Sequence, residues 1–191
     1  NEIKELHVAR VGLIKDRTAC RNRIQAARNK VVLAQLRARQ RQVDTRIAQI
    51  DAELRRLVTA DPALARRLDI LLSSPGIGPI AAIALIMDMP ELGTMTGKEA
   101  ASLAGLAPIT RQSGMWKGKA KIGGGRAALR TMLYMPALVA TRFNKQLGQT
   151  YKTLCEAGKP AKVAITAVMR KLLILANALI RDDRKWAETA P

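Results

Sequence analysis

Along residues 1–58 apolar positions recur in a helical rhythm, with Gly12 the only weak helix former and no proline. Leu33, Leu36, Val43, Ile47, Ile50, Leu54 and Leu57 follow alternating steps of three and four, and Gln40 fills the one gap. That is a heptad seam. An earlier run, Ile3, Leu6, Leu13, Cys20, Ile24, Ala27 and Val31, keeps the period in a different phase. The break near Asn29 allows a stutter in one long helix or a turn between two antiparallel helices, and the hairpin is the favoured of the two. Such a stripe must be covered in water, by itself, by a further domain or by another subunit.

Beyond this stretch the pattern predicts shorter helices. Asp61-Pro62 pairs a capping carboxylate with proline at the first helical position and opens a helix to about Leu72. Ser73 to Pro79 interrupts it, and a second helix runs to about Met89, before Pro90. Thr96-Gly97-Lys98-Glu99 is a capping box for a third helix ending near Leu106. Residues 107–125 carry Pro108 and five glycines and are expected to be mostly loop. A helix from Arg126 to about Phe143 follows, with Pro136 as an expected kink, then one near 145–157 ended by Gly158. Pro160 opens the last helix, which is apolar on most faces and therefore expected to be buried, and Arg181-Asp182-Asp183 ends it. The expected fold is all-α: coiled-coil helices over 1–60, then a compact helical domain over 61–191 with a helix-hairpin-helix-like motif and a glycine-rich basic loop.

Composition supports this and removes several function classes. Apolar residues make up 48% of the chain, enough for a packed core, while aromatics are only 3%, which disfavours an all-β fold. Cys20 and Cys155 lie in unrelated contexts and His7 is the sole histidine, which leaves no disulfide framework, no cysteine zinc site and little room for a Ser-His-Asp triad. No apolar run reaches the ~18 residues of a membrane span, and the N-terminus does not read as a signal peptide, so no membrane partner and a cytoplasmic location are expected. The chain begins at Asn1 rather than Met, as a processed or truncated piece of a longer protein would.

Charge changes the picture most. Lys and Arg number 33 against 15 Asp and Glu, a net +18. Residues 1–60 are basic but interspersed with acids, in the manner of helix ion pairs, and residues 61–107 are slightly acidic. Residues 108–150 hold Arg111, Lys117, Lys119, Lys121, Arg126, Arg130, Arg142 and Lys145 with no carboxylate at all. These cations lack a local partner, and nucleic acid is the natural external one.

Two constellations carry candidate chemistry. In PGIGPIAAIAL, Pro75 to Leu85, Gly76 and Gly78 flank one apolar residue between two helices. Glycine lets the backbone approach a ligand closely, and the following helix directs its orphan N–H groups to the same spot. This resembles the helix-hairpin-helix motif that grips a DNA phosphate, although the turn holds no lysine and a plain turn between core helices would look similar. The second is the loop from Ile109 to Gly125, in which Arg111, Lys117, Lys119 and Lys121, with Arg126 and Arg130 beyond it, are candidate phosphate contacts. Gly123-Gly124-Gly125 before a helix is a further candidate anion site. Trp116 either stacks on a base or is buried beneath the loop. Ser113 is the only serine of the acid-free block, and its hydroxyl beside glycine and cations could attack a phosphodiester.

AGLAP (Ala104–Pro108), Ser113-Gly114, KGKAKIGGGRAALRTMLYMPALVA (Lys117–Ala140) and GKPAKVAITAVMRKLLILANALIRD (Gly158–Asp182) occur in that order, after SSPGIGPIAAIAL and the basic stretch DRTACRNRI. Over nearly the whole chain this resembles the insertion-sequence transposases of the IS110 (IS116, IS902) family. The resemblance implies a recombinase that joins DNA through a transient serine–DNA phosphodiester, with the family serine falling on Ser113. It also implies dimers or tetramers across two duplexes and, in some members, a structured guide RNA. Family members carry an N-terminal RuvC-like domain with a four-carboxylate metal site, where magnesium is expected. That domain is missing from this sequence, and Asp88 and Glu91 read as ordinary helix-end residues, so no metal site or other cofactor is expected in this chain. The chain alone is therefore expected to bind nucleic acid without completing strand exchange. The alternative reading is a non-catalytic helix-hairpin-helix module holding DNA or RNA.

Overall fold

The computed structural model describes residues 2–110, 112–113, 116–117 and 121–187, with backbone alone at 112, 113, 116 and 117. The chain divides into two compact units, Asn1–Pro62 and Ala63–Pro191. Helix dominates both, as the apolar periodicity predicts, and the fold is all-α with very little strand.

The first unit is a helical hairpin. Helices α1 (Glu2–Ala26) and α2 (Lys30–Ala60) pack along each other, so the phase break at Asn29 is a turn and not a stutter. The Asn29 side chain caps α2 by accepting from the Val31 N–H at 2.9 Å, which ends one helix and starts the next. Register is set by ion pairs: Arg10 binds Asp51, and Arg17 lies 3.6 Å from Asp44. One heptad forward on α1 thus matches one heptad back on α2, the antiparallel relation. The predicted α2 seam faces inward, with Val43, Ile47 and Leu54 buried and Leu33, Leu36, Gln40 and Ile50 half-buried. On α1 only His7 and Cys20 are buried, because Arg10 and Arg17 fill the gaps in its stripe.

The second unit is built around α8 (Ala161–Arg181), against which α5 (Gly97–Leu103), α6 (Ala127–Phe143) and α7 (Lys145–Glu156) pack. Leu172, Leu173, Ala176 and Leu179 are fully sealed, which confirms the burial expected of so apolar a helix. By length and composition α8 could cross a membrane, yet half of its most apolar window is already buried by protein. Its buried polar residue, Asn177, is fully used. The Asn177 side chain accepts from Gly93 N–H at 2.7 Å and donates to Met95 C=O at 2.7 Å, which fixes the turn before α5.

Helices α3 (Pro62–Ser73) and α4 (Pro79–Asp88) precede that turn, and α4 packs on α6. The capping box at Thr96 and Glu99 opens α5 as expected. Helix α5 stops at Leu103, three residues earlier than the periodicity suggests. Gly105 adopts φ +66° while its N–H reaches Ser102 C=O and Leu106 N–H reaches Ala101 C=O, both at 2.8 Å. That Schellman closure ends the helix although apolar residues continue. Pro136 lies inside α6 without ending it.

Candidate nucleic-acid interface

The segment between α5 and α6 is expected to be loop, but its ends pair. Strand β1 (Pro108–Ile109) runs antiparallel to β4 (Lys121–Ile122), with Pro108 opposite Ile122 and Ile109 opposite Lys121. Further out, β2 (Gln112–Ser113) pairs with β3 (Trp116–Lys117), with Ser113 opposite Trp116. The acid-free glycine-rich stretch is thus an antiparallel excursion. Arg111 and Lys119 lie outside the described residues, as do the side chains of Ser113, Trp116 and Lys117.

The root of the excursion is tied down by the two arginines that begin α6. Arg126 N–H donates to Leu103 C=O at 2.8 Å, and its guanidinium makes a two-pronged bond to the Glu91 carboxylate at 2.7 and 2.9 Å. The same guanidinium donates to Asp88 C=O at 2.7 Å. Hydrogen bonds from Arg126 hold the half-exposed Glu91 carboxyl down at about 2, aided by a backbone hydrogen bond and by the charge of Arg126. Arg130 donates to Gly124 C=O at 2.9 Å. Gly125, at φ +56°, lies so close to α5 that a Cβ there would meet Gly105 N and Leu103 O at 2.5 Å. Two of the eight cations expected to lack local protein partners therefore anchor the excursion. By sequence Glu91 is an ordinary helix-end residue; in the fold it is the partner of Arg126 across 35 positions of sequence.

Lys121 has a different setting. With Leu106, Pro108 and Ile122 it lines one wall of a groove of about 550 Å³, and Lys162, Val163, Thr166, Ala167 and Arg170 of α8 line the other. The floor is apolar and three cations rim it. Sequence reasoning missed Lys162 and Arg170, because α8 reads as apolar on most sides. The signal was present: Lys162, Thr166 and Arg170 recur every four residues and share one face of that helix.

The glycine turn lies elsewhere. Gly76, at φ +105°, backs onto α6, where a Cβ would meet Pro136 O at 2.6 Å and Ala140 Cβ at 2.7 Å. Its close backbone approach is thus made to a neighbouring helix. Gly78 begins α4 with open space around it and Ile77 is buried beside it. Pro136 and Ala140 lie 10 and 14 residues after Arg126, about 15–21 Å along α6 at 1.5 Å per residue. The fold therefore gathers Lys121, Arg126 and Arg130 at one end of α6 and sets Gly76 and Gly78 towards the other.

Residues 68–152 match the Transposase IS116/IS110/IS902 family. Those residues span the glycine turn, the excursion and its anchoring arginines. Over that segment the chain is similar to this family. Among its relatives are the pilin gene-inverting proteins of Moraxella bovis and Moraxella lacunata, each 35% identical over 144 residues, covering 73% of this chain and 45% of theirs. The chain thus spans about half the length of these relatives. Within the transposase segment, the described residues include no group of three or more His, Cys, Asp or Glu side chains able to hold a metal ion, and the same is true across both units.

Proposed function

We propose that this chain is the DNA-handling, serine-bearing part of a recombinase that cleaves and rejoins DNA in transposition or inversion. In this reading Ser113 Oγ attacks a backbone phosphorus, forms a serine–DNA phosphodiester and releases a 3′-hydroxyl, and a hydroxyl of the new partner strand reverses the bond. Lys121, Lys162 and Arg170 hold the backbone at the groove, joined by Arg111, Lys117 and Lys119 of the excursion. Arg126 and Arg130 act as positioning residues, fixing the root from which the serine is presented. Gly78 contributes a backbone phosphate contact at the start of α4, and Gly76, packed on α6, holds the turn that presents it. DNA is the partner, with two or four copies assembling across two duplexes, a guide RNA in members that use one, and a bacterial cytoplasm as the setting.

The observation that carries the reading is the paired excursion itself. Ser113 pairs in register with Trp116, in a stretch of sequence, 108–150, that carries eight Lys and Arg and no carboxylate. The test is a covalent trap. The chain is incubated with nicked DNA carrying the recombination site, with and without a RuvC-like domain of the family supplied in trans, and resolved under denaturing conditions. A protein–DNA adduct that vanishes in Ser113→Ala, while DNA binding stays within about two-fold, supports it. An adduct that persists in Ser113→Ala removes the serine from the chemistry.

A further inference from the structure

The hairpin unit separates its charges in space, which its composition as a whole conceals. The acids of α1 and α2 are Glu2, Glu5, Asp16, Asp44, Asp51 and Glu53. Folding α1 back on α2 brings these six to the middle of the hairpin and the end away from the turn, where Asp44 pairs with Arg17 and Asp51 with Arg10. From Arg17 to Val43 there is no carboxylate. The turn end therefore gathers Arg21 and Arg23 from α1 and Arg28 from the turn beside Lys30, Arg37, Arg39 and Arg41 from α2, and all seven are exposed. Among the described residues none of these side chains has an ion-pair partner.

We infer that the turn end of the α1–α2 hairpin, residues 21–41, is a second nucleic-acid contact that grips the phosphodiester backbone of a duplex. Six of the seven cations are arginine, whose planar fork matches phosphate oxygens. Lys30, Arg37 and Arg41 follow at steps of seven and four and share one side of α2 next to the seam, and Arg39 lies on the other. Along α2, Lys30 to Arg41 covers about 16 Å, the span of roughly five phosphates on one strand. Two helices side by side offer such rows on both flanks, as a backbone crossing requires. A membrane surface is a poorer fit. Residues 17–43 contain no Phe, Tyr or Trp, and the exposed bulky apolar residues are Val31 and Val32. The same two valines are too small an apolar centre for a protein partner, whose interface would hold a hydrophobic core inside its charged rim.

The test uses the whole chain and leaves the seam untouched. Arg21, Lys30, Arg37 and Arg41 are replaced together by Gln, which keeps helix propensity, and circular dichroism checks that the hairpin is intact. A charge-matched control replaces Lys4, Lys15, Arg55 and Lys98 by Gln. Binding to a fluorescent DNA duplex, and separately to an RNA duplex of the same sequence, is followed by anisotropy across a salt series. The slope of log affinity against log salt is expected to fall by about 3.6 in the hairpin variant, at about 0.9 for each of four lost contacts, and by less than about 1 in the control. A fall on one duplex alone supports the inference and names the nucleic acid. Unchanged slopes on both duplexes overturn it, and so does an equal fall in the control, which would make the effect one of net charge. Ser113→Ala should leave these slopes intact, so failure here and failure of the serine chemistry are separate results.

Discussion

The two basic regions of this chain use similar residues to opposite ends. Around the excursion, arginines from a stretch without acids turn inward: Arg126 grips Glu91 and the Asp88 carbonyl, and Arg130 grips the Gly124 carbonyl. In the hairpin, arginines near the turn, from a stretch that looks evenly mixed, turn outward, because folding leaves the turn end without a carboxylate. Local composition therefore misjudges both. A cation is satisfied by what the fold brings within about 4 Å, and neither absence nor presence of acids nearby in sequence decides that.

Glycines offer the largest contrast between the regions. Gly125→Ala is expected to destabilise the second unit by about 3 kcal/mol, from the left-handed backbone and from overlap with Gly105 and Leu103. Gly12→Ala should do the reverse. Gly12 sits inside α1 with open space around it, and alanine there is expected to stabilise the hairpin by about 0.5–1 kcal/mol. Denaturant unfolding of both variants measures the difference, and equal effects would mean that the root of the excursion is not closely packed.

Core truncation in the hairpin comes next. Ile47→Ala removes a buried seam residue and is expected to cost about 2–4 kcal/mol, seen as lost helicity on heating. A neutral result would mean that the α1–α2 seam does not hold the unit together.

The arginines sharpen the comparison further. Arg126→Gln should lower the melting temperature, whereas Arg37→Gln should change stability by no more than about 0.5 kcal/mol while weakening duplex binding. The effect of Arg126 depends on pH. Glu91 has its carboxyl depressed to about 2 by the Arg126 hydrogen bonds, so folding binds fewer protons there than the unfolded chain does. The stabilisation is complete above the ordinary glutamate value near 4.3 and drains away as pH falls towards about 2. Wild type and Arg126→Gln should therefore converge in stability between these limits. A gap that stays constant down to pH 2 would show that the ion pair contributes nothing to the difference.

Much of the fold was legible because its signals are local. The α2 seam from Leu33 to Leu54, the hairpin turn at Asn29, the capping box at Thr96 and the burial of α8 follow from period, capping chemistry and apolarity. The early end of α5 was missed because Leu106 and Ala107 continue the apolar run, while the Gly105 closure depends on two hydrogen bonds that composition does not announce. The pairing of 108–109 with 121–122 was missed for a related reason. Two-residue strands carry no periodicity, and their partners lie across a glycine-rich gap.

The candidate site divides along the same line. The serine, the glycines and the basic residues were visible as residue types in one stretch. Only the fold could sort them, leaving Lys121 to the groove, assigning Arg126 and Arg130 to its root, adding Lys162 and Arg170 from α8, and placing Gly76 against Pro136.

By itself the sequence determined that this chain is helical, that its first sixty residues form a seam-bearing stretch and that it carries a large excess of positive charge. Periodicity, capping and net charge are properties of neighbours along the chain. Tertiary structure alone decided which cations are free and which are structural, because a salt bridge or a close backbone approach forms between residues tens of positions apart.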